Sequence, residues 1–184
     1  MHIRFTHCRG LPVIEEHSQQ VIGTIDDIFI HPDMGKTEGF FVKISHFMQS
    51  ETLFLSVADI THWGRMVMIR DRDVLAPLEE HVRLQQLSQE GRTVIGQKMV
   101  TEAGKKLGTC ADAQFETKTF RVEWLFPRRM FQWGMPVPIT SVQEVRPDSI
   151  IIRDQATVQE PAAEEAVFTP LEPLKTTPLS RTIE

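Results

Sequence analysis

The chain has 184 residues, 41% of them hydrophobic, and its 20 Lys and Arg against 25 Asp and Glu give a formal net charge of −5. This composition is typical of a globular protein, and the acidic balance disfavours binding to nucleic acid through its phosphates. Nowhere does the sequence approach the ~20 consecutive apolar residues of a membrane helix, so we expect no membrane span and a cytoplasmic location.

The first part of the sequence predicts short strands joined by turns. Apolar and polar residues are interspersed over 20–30, as in a half-buried strand. The next residues include Pro32, Asp33 and Gly35, which favour a hairpin turn over 31–36. Further strands are predicted over 11–14, 40–44, 53–57 and 66–69.

The second part repeats this layout after a helix. Leu78, Val82, Leu84 and Leu87 form an apolar stripe that predicts a helix over 78–89, with Gly91 available to end it. A turn is then predicted over 102–106, and strands are predicted over 94–100, 107–115, 119–126, 137–142 and 149–152. From residue 155 the sequence is rich in Pro, Thr and Glu, which predicts a disordered acidic tail.

An internal repeat sets the predicted domain organisation. Residues 23–29 return as 108–114, and 67–71 return as 150–154, at an offset of about 83 to 85 positions. An offset this long indicates two copies of a small domain. We therefore predict an all-β protein of two small antiparallel β-barrels, with the following division: a first barrel over 1–77, a helical connector over 78–91, a second barrel over 92–154 and a disordered tail over 155–184.

The first copy resembles the PRC-barrel family, and the second resembles a more diverged copy of the same domain. The resemblance rests on 12–14, 22–30, the turn 32–36, 39–42 and 57–60, with the counterparts Ile95-Gly96, Gly104, Gly108-Thr109, Asp112, Phe115 and 139–142. Such domains form the cytoplasmic part of the photosynthetic reaction-centre H subunit and the C-terminal domain of a ribosome-maturation factor. The resemblance implies two PRC-like barrels that act as protein-interaction modules.

No residue pattern indicates an enzyme, a cofactor or a metal. The seven histidines lack paired ligand spacing, and Cys8 and Cys110 belong to no metal-binding motif. Asp26 and Asp27 are adjacent on a strand and point to opposite faces, so they cannot form a catalytic carboxylate pair. An approach of His46 to His62 in the first barrel stays open.

A cluster of basic, sulfur-containing and aromatic residues is the candidate partner-binding site. Its members are Arg128, Arg129, Met130, Phe131 and Trp133, in a segment predicted to be a loop. Residues of these types are enriched in protein interfaces. Two interpretations are open: Phe131 and Trp133 pack beneath the loop or against the other barrel, or the cluster is exposed and binds a partner.

These observations favour a non-enzymatic adaptor that binds a protein partner of unknown identity, with weak self-association as a further possibility. One alternative is an RNA-associated or ribosome-assembly factor, for which salt-sensitive RNA binding is the test. Another is a barrel that binds a small molecule or cofactor, which a ligand-induced thermal shift would reveal.

Overall fold

The computed structural model describes residues 1–45 and 49–154, and these residues are mostly β-strand. The β-rich class predicted from the sequence is therefore confirmed. The predicted disordered tail, 155–184, and His46 lie outside the described residues. None of the helices in the described part of the chain is long and apolar enough to cross a membrane.

The first sheet contains six strands. Its strands are β2 Pro12–Glu15, β3 Val21–His31, β4 Lys36–Ser45, β5 Ser50–Ser56, β6 Ile60–Trp63 and β7 Val67–Ile69. Before them lie strand β1, His2–Arg4, which belongs to the second sheet, and helix α1, Phe5–Cys8. The strand order is β5-β4-β3-β2-β7-β6, with β2 and β7 parallel and the other neighbours antiparallel. The predicted turn after β3 is confirmed, and Gly35 supplies its positive φ of 55°.

The second sheet repeats that order. Its part of the chain contains α2 Val82–Gln89, β8 Lys98–Thr101, β9 Lys106–Glu116, β10 Val122–Arg129, β11 Gln132–Trp133, β12 Val137–Pro138, β13 Val142–Val145 and β14 Ser149–Ile152. The order is β11-β10-β9-β8-β14-β13, again with one parallel pair, β8 and β14. Two further strands join at the side, since β12 pairs with β10 and β1 pairs with β9.

The two sheets share the details of their strand register. Ile25 lies opposite Val42 in the first sheet, and Cys110 lies opposite Pro127 in the second. In both sheets the ladder shifts directly after this pair, between Ile25 and Asp27 and between Cys110 and Asp112. The offset is 85 residues on each strand, from 25 to 110 and from 42 to 127, so the sequence repeat corresponds to a repeated pairing pattern.

Several predicted elements are corrected by the structure. The strand predicted over 94–100 is only Lys98–Thr101, because Gly96 adopts a φ of 85° and its amide bonds to the carbonyl of Cys110 at 2.7 Å. The strand predicted over 137–142 is divided by a 3-10 helix, Ile139–Ser141. The sequence does not predict strands β1, β6 and β11, and it predicts only the first residue of β13.

The connector contains a short 3-10 helix, Leu78–Glu80, followed by α2. Helix α2 confirms the predicted helix in a shorter form, and Gly91, with a φ of 67°, follows its C-terminal end. Leu84 is buried, and the His81 ring lies 5.2 Å from the ring of Phe54 on β5. The connector therefore covers part of the first sheet.

The N-terminal residues contact the second sheet. Strand β1 pairs antiparallel with β9, and Arg4 places its guanidinium carbon 3.8 Å from the ring centroid of Phe126. Helix α1 follows on the same sheet, where Phe5 and Cys8 are buried. Residues 2–8 thus tie the start of the chain to the second sheet, although the predicted first domain includes them.

The two sheets share one hydrophobic core. The ring centroid of Phe40 lies 4.9 Å from that of Trp63 in its own sheet and 5.8 Å from that of Phe115 in the other sheet. Backbone hydrogen bonds also join the turn before β4 and the start of β4 to the start of β10 and the residues before it: Thr37 donates to the carbonyl of Phe120 at 2.8 Å, and Val122 donates to that of Gly35 at 2.9 Å. The sheets are therefore packed and hydrogen-bonded to each other.

Closed barrels remain a prediction. Among the described residues, no strand pairing joins β5 to β6, or β11 to β13. Within this part of the chain, the fold is thus two mixed sheets, each open at the two ends of its strand order rather than closed by hydrogen bonds.

Candidate functional site

The candidate partner-binding residues lie on a β-hairpin. Strand β10 extends through Arg128 and Arg129, which pair with Trp133 and Gln132 of β11. Met130 and Phe131 form the tip of this hairpin. The prediction of a loop here is wrong. The sequence does not indicate a hairpin because the turn has no Gly, Asn or Pro at its centre, and Met130 itself adopts the positive φ of 53°.

The apolar residues of the hairpin lie in solvent. Met130 is 84% exposed and Phe131 86%, while Trp133 and the following Met135 are 52% and 65% exposed. The interpretation that Phe131 and Trp133 pack beneath a loop is therefore wrong. Large side chains this exposed and this close together are characteristic of surfaces that bind something else.

One aromatic ring of the hairpin contacts an arginine of the paired strand. The guanidinium carbon of Arg128 lies 5.6 Å from the centroid of the Trp133 ring, within the range of a cation–π interaction. Arg129 is also exposed. We call the exposed set the hairpin surface, comprising Arg128, Arg129, Met130, Phe131, Trp133 and Met135.

A groove of about 390 Å³ adjoins the base of the hairpin. We call it the basal groove. Its apolar lining comes from Leu107, Pro127, Met135, Pro136 and Val137, and its rim carries Lys105, Lys106, Arg153 and Asp154. Met135 belongs to both features and so links the hairpin surface to the basal groove; we call the two together the apolar strip, and its border carries several cations and the Asp154 carboxylate.

Two glycines allow the hairpin to lie close to its neighbours. Gly108 on β9 has a φ of 132°, and a Cβ there would lie 2.7 Å from the carbonyl oxygen of Arg128. Gly134 donates its amide to the carbonyl of Pro127 at 2.9 Å. These contacts fix the base of the hairpin against the second sheet while its tip stays exposed.

We also searched the titratable groups of the described residues for a metal site. Within the described residues, no group of three or more His, Cys, Asp or Glu side chains is placed to hold a metal ion. His62 is exposed on β6, and the question of its approach to His46 falls outside the described residues. Burial, together with the nearby Asp112 carboxylate, raises the pKa of the Cys110 thiol to about 12, which suppresses the reactive thiolate.

The paired aspartates of the sequence have structural contacts. Asp27 accepts a hydrogen bond from the amide of Ile28 at 2.8 Å, and its counterpart Asp112 accepts one from Ala113 at 2.9 Å. Asp112 is fully buried and also binds the backbone amide and hydroxyl of Thr6, at 3.0 and 2.6 Å. These carboxylates therefore satisfy backbone donors beside the register shift in each sheet.

The basal groove is not apparent from the sequence. The turn pattern assigns Lys105 and Lys106 to a solvated tip, because they lie far from the Arg–aromatic segment in the sequence. Met135 follows that segment closely, but its residue type alone does not show that it lines a groove. The pairing of β9 with β10 places Cys110 opposite Pro127 and Thr109 opposite Arg128, and this brings the start of β9 to the groove, where Leu107 and Pro127 are both part of the lining.

We compared the chain with protein families and with curated proteins. No protein-family model matches the chain, and no curated protein is significantly similar to it in sequence.

Proposed function

We propose that this chain is a non-enzymatic adaptor whose hairpin surface binds a protein partner. The observation that carries the proposal is the exposure of four large apolar side chains, Met130, Phe131, Trp133 and Met135, beside two arginines. Arg, Trp and Met are enriched at protein interfaces, because they combine large apolar contact area with charge or polarisable sulfur. A rigid hairpin presents them with little further loss of conformational entropy.

The proposal includes a scaffold of two PRC-barrel-like units. The repeated strand order and the shared register shifts support two copies of one unit, and the resemblance supplies the family. In the first unit, the position of Arg128 on the paired strands corresponds to Lys43, opposite Thr24. The proposed binding hairpin belongs to the second of these units.

The test is capture of the native partner by the full chain, followed by mass spectrometry. The variant Arg128→Ala/Arg129→Ala/Trp133→Ala is expected to weaken capture at least about tenfold, or about 1.4 kcal/mol, while its melting temperature stays unchanged. A matched control, Arg65→Ala/Arg70→Ala/Met34→Ala, removes two exposed arginines and one exposed apolar side chain from the first unit.

The control is expected to retain full capture. If the hairpin variant melts several degrees lower, these residues stabilise the fold. If it keeps its melting temperature and its partner, the interaction surface lies elsewhere on the molecule.

One observation favours RNA as a second candidate ligand. Exposed Phe131 and Trp133 stand beside five exposed cations, Lys105, Lys106, Arg128, Arg129 and Arg153. Aromatic rings stack on bases, and cations bind phosphates with an affinity that falls steeply with salt. Titration with single-stranded RNA at two salt concentrations distinguishes this candidate, since a protein interface rich in apolar contacts depends less on salt.

A further inference from the structure

The described chain ends in the basal groove. Strand β14 finishes at Ile152, and the next two residues, Arg153 and Asp154, form part of the rim of the groove. Residues 155–184 therefore start beside the apolar strip formed by the groove and the hairpin surface. The covalent bond to Asp154 tethers this segment to the strip.

The sequence of that segment complements the surface. Residues 158–168 contain Glu160, Glu164 and Glu165 but no Lys or Arg, and they end in the apolar pair Val167-Phe168. The surface offers the opposite chemistry, with five exposed cations bordering exposed apolar groups: Lys105, Lys106, Arg128, Arg129 and Arg153. An acidic segment with apolar anchors matches both properties at once.

Because the segment is covalently attached, even a weak intrinsic affinity is sufficient for it to occupy the surface. Phe168 lies 14 residues beyond Asp154, since 168 − 154 = 14, and a flexible chain of that length has a root-mean-square span of about 20 Å. A short tether of this kind gives an effective concentration on the order of millimolar. Binding with an intrinsic dissociation constant of about 1 mM or less would then occupy the surface for about half the time or more.

We propose that residues 158–168 bind the hairpin surface and the basal groove of their own chain and compete there with the external partner. The inference rests on the proposed function, because it takes this surface to be a binding site. It also specifies the chemistry of the partner, which should be an acidic segment with apolar anchors able to displace the tethered one.

The experiment measures the approach of the segment in the full chain. A nitroxide label is attached to Ala166→Cys, since Cys8 and Cys110 are both buried, and the relaxation of the Met130 and Met135 methyl groups is recorded by NMR. Met34 serves as the distant reference. Met34 is next to Gly35, whose carbonyl accepts a hydrogen bond from Val122 at the start of β10. The hairpin surface lies at the other end of β10, eight residues or roughly 25 Å away.

The tether alone brings the label near the groove, so a matched tail variant supplies the comparison. In Glu160→Gln/Glu164→Gln/Glu165→Gln/Phe168→Ser, the label-induced relaxation of Met130 is expected to fall at least about threefold relative to the unaltered segment. A second tail variant, Glu172→Gln/Glu184→Gln/Ile183→Ser, changes charge and an apolar residue outside 158–168 and is expected to keep the fast relaxation. Arg128→Ala/Arg129→Ala should also reduce the label-induced relaxation of Met130, because the variant removes two of the cations that attract the acidic segment.

Equal relaxation of Met130 in the unaltered chain and in the 158–168 variant would overturn the inference. So would retention of the effect in Arg128→Ala/Arg129→Ala, which would place the segment elsewhere, or a rise of the effect with protein concentration, which would indicate binding to a second copy. Because no external partner is present, failure here leaves the partner-capture test unaffected. Conversely, the segment can bind the hairpin even if capture proves independent of it.

Discussion

At the scale of single residues, one aspartate beside the register shift in each sheet accepts a hydrogen bond from a backbone amide. A shift in the β3–β4 or β9–β10 ladder leaves backbone donors without a regular cross-strand partner. Asp27 and Asp112 accept such amides, from Ile28 and Ala113. Asp112 also anchors another segment, through its two hydrogen bonds from Thr6.

This difference leads to a stability prediction. Asp112→Ala leaves the amide of Ala113 and both donors of Thr6 without their acceptor, and should lower the free energy of unfolding by about 2 to 4 kcal/mol. Asp27→Ala, the matched change in the first sheet, removes one acceptor and should cost about 1 kcal/mol. Urea denaturation measures both. Equal losses would mean that the contact between Thr6 and Asp112 contributes nothing.

Cys110 provides a prediction of pH dependence. Burial first, and then the Asp112 carboxylate, raise the pKa of its thiol from 9.0 to about 12. Between these two pH values the unfolded chain has lost this proton and the folded chain has kept it, so the free energy of unfolding falls as pH rises from about 9 towards 12. Below pH 9 both states are protonated and the contribution is constant.

The measurement compares urea denaturation of the natural chain and Cys110→Ala at pH 7 and at pH 10.5. The natural chain is expected to lose more stability across that interval, because Lys and other groups titrate in both proteins and cancel in the comparison. An identical loss in the two proteins would contradict the raised pKa in the folded state.

At the scale of elements, a glycine near the start of a long strand lets the neighbouring strand approach. A Cβ at Gly23 would lie 2.6 Å from the carbonyl oxygen of Lys43, and one at Gly108 would lie 2.7 Å from that of Arg128. The second contact lies directly below the hairpin surface. The backbone at Gly108 thus helps to determine where the hairpin stands.

Gly108→Ala is therefore expected to displace β10 and to lower the free energy of unfolding by about 2 kcal/mol or more. Gly104→Ala is the matched control, because Gly104 also has a positive φ, 81°, but nothing within 4 Å of its would-be Cβ. The control should cost about 1 kcal/mol, from backbone strain alone. Thermal denaturation compares the two. A similar loss in both would show that β10 accommodates the methyl group without strain.

At the scale of the whole molecule, the shared core couples the two sheets. Phe115 of the second sheet contacts both Phe40 and Trp63 of the first, at centroid distances of 5.8 and 5.9 Å. Each unit is small, and small units bury too little apolar surface to be more than marginally stable by themselves. The sheets therefore stabilise each other, and β1, which precedes the first sheet in the chain, pairs with β9 of the second sheet.

We expect the sheets to unfold in one cooperative transition. Phe115→Ala should lower the free energy of unfolding by about 3 to 5 kcal/mol and shift the unfolding midpoints of both sheets together. Chains that retain only Trp63 or only Trp124 report the first and the second sheet separately by fluorescence. Two separate midpoints in these chains would indicate independent domains.

Local physical chemistry allowed much of the fold to be predicted from the sequence. Interspersed apolar and polar residues predicted β3 and β9, the Pro-Asp-Gly chemistry predicted the turn at 31–36, and the repeat anticipated that the two sheets would share a strand order. These features depend on residues close together in the chain, or on the recurrence of the same pattern. The Arg128–Trp133 segment was likewise identified as the candidate site from residue type alone.

Tertiary structure decided the features that depend on which distant segments meet. The hairpin around Met130 has no Gly, Asn or Pro at its turn, so the sequence does not predict it, and the exposure of its apolar side chains became apparent only from the structure. The basal groove forms where β9 lies beside β10, and the N-terminal residues join the second sheet because β1 pairs with β9 and Thr6 of α1 donates hydrogen bonds to Asp112. A linear pattern records the tendency of each segment to be a strand or a turn, whereas the free energy that selects between alternative pairings comes from contacts between segments far apart in the sequence.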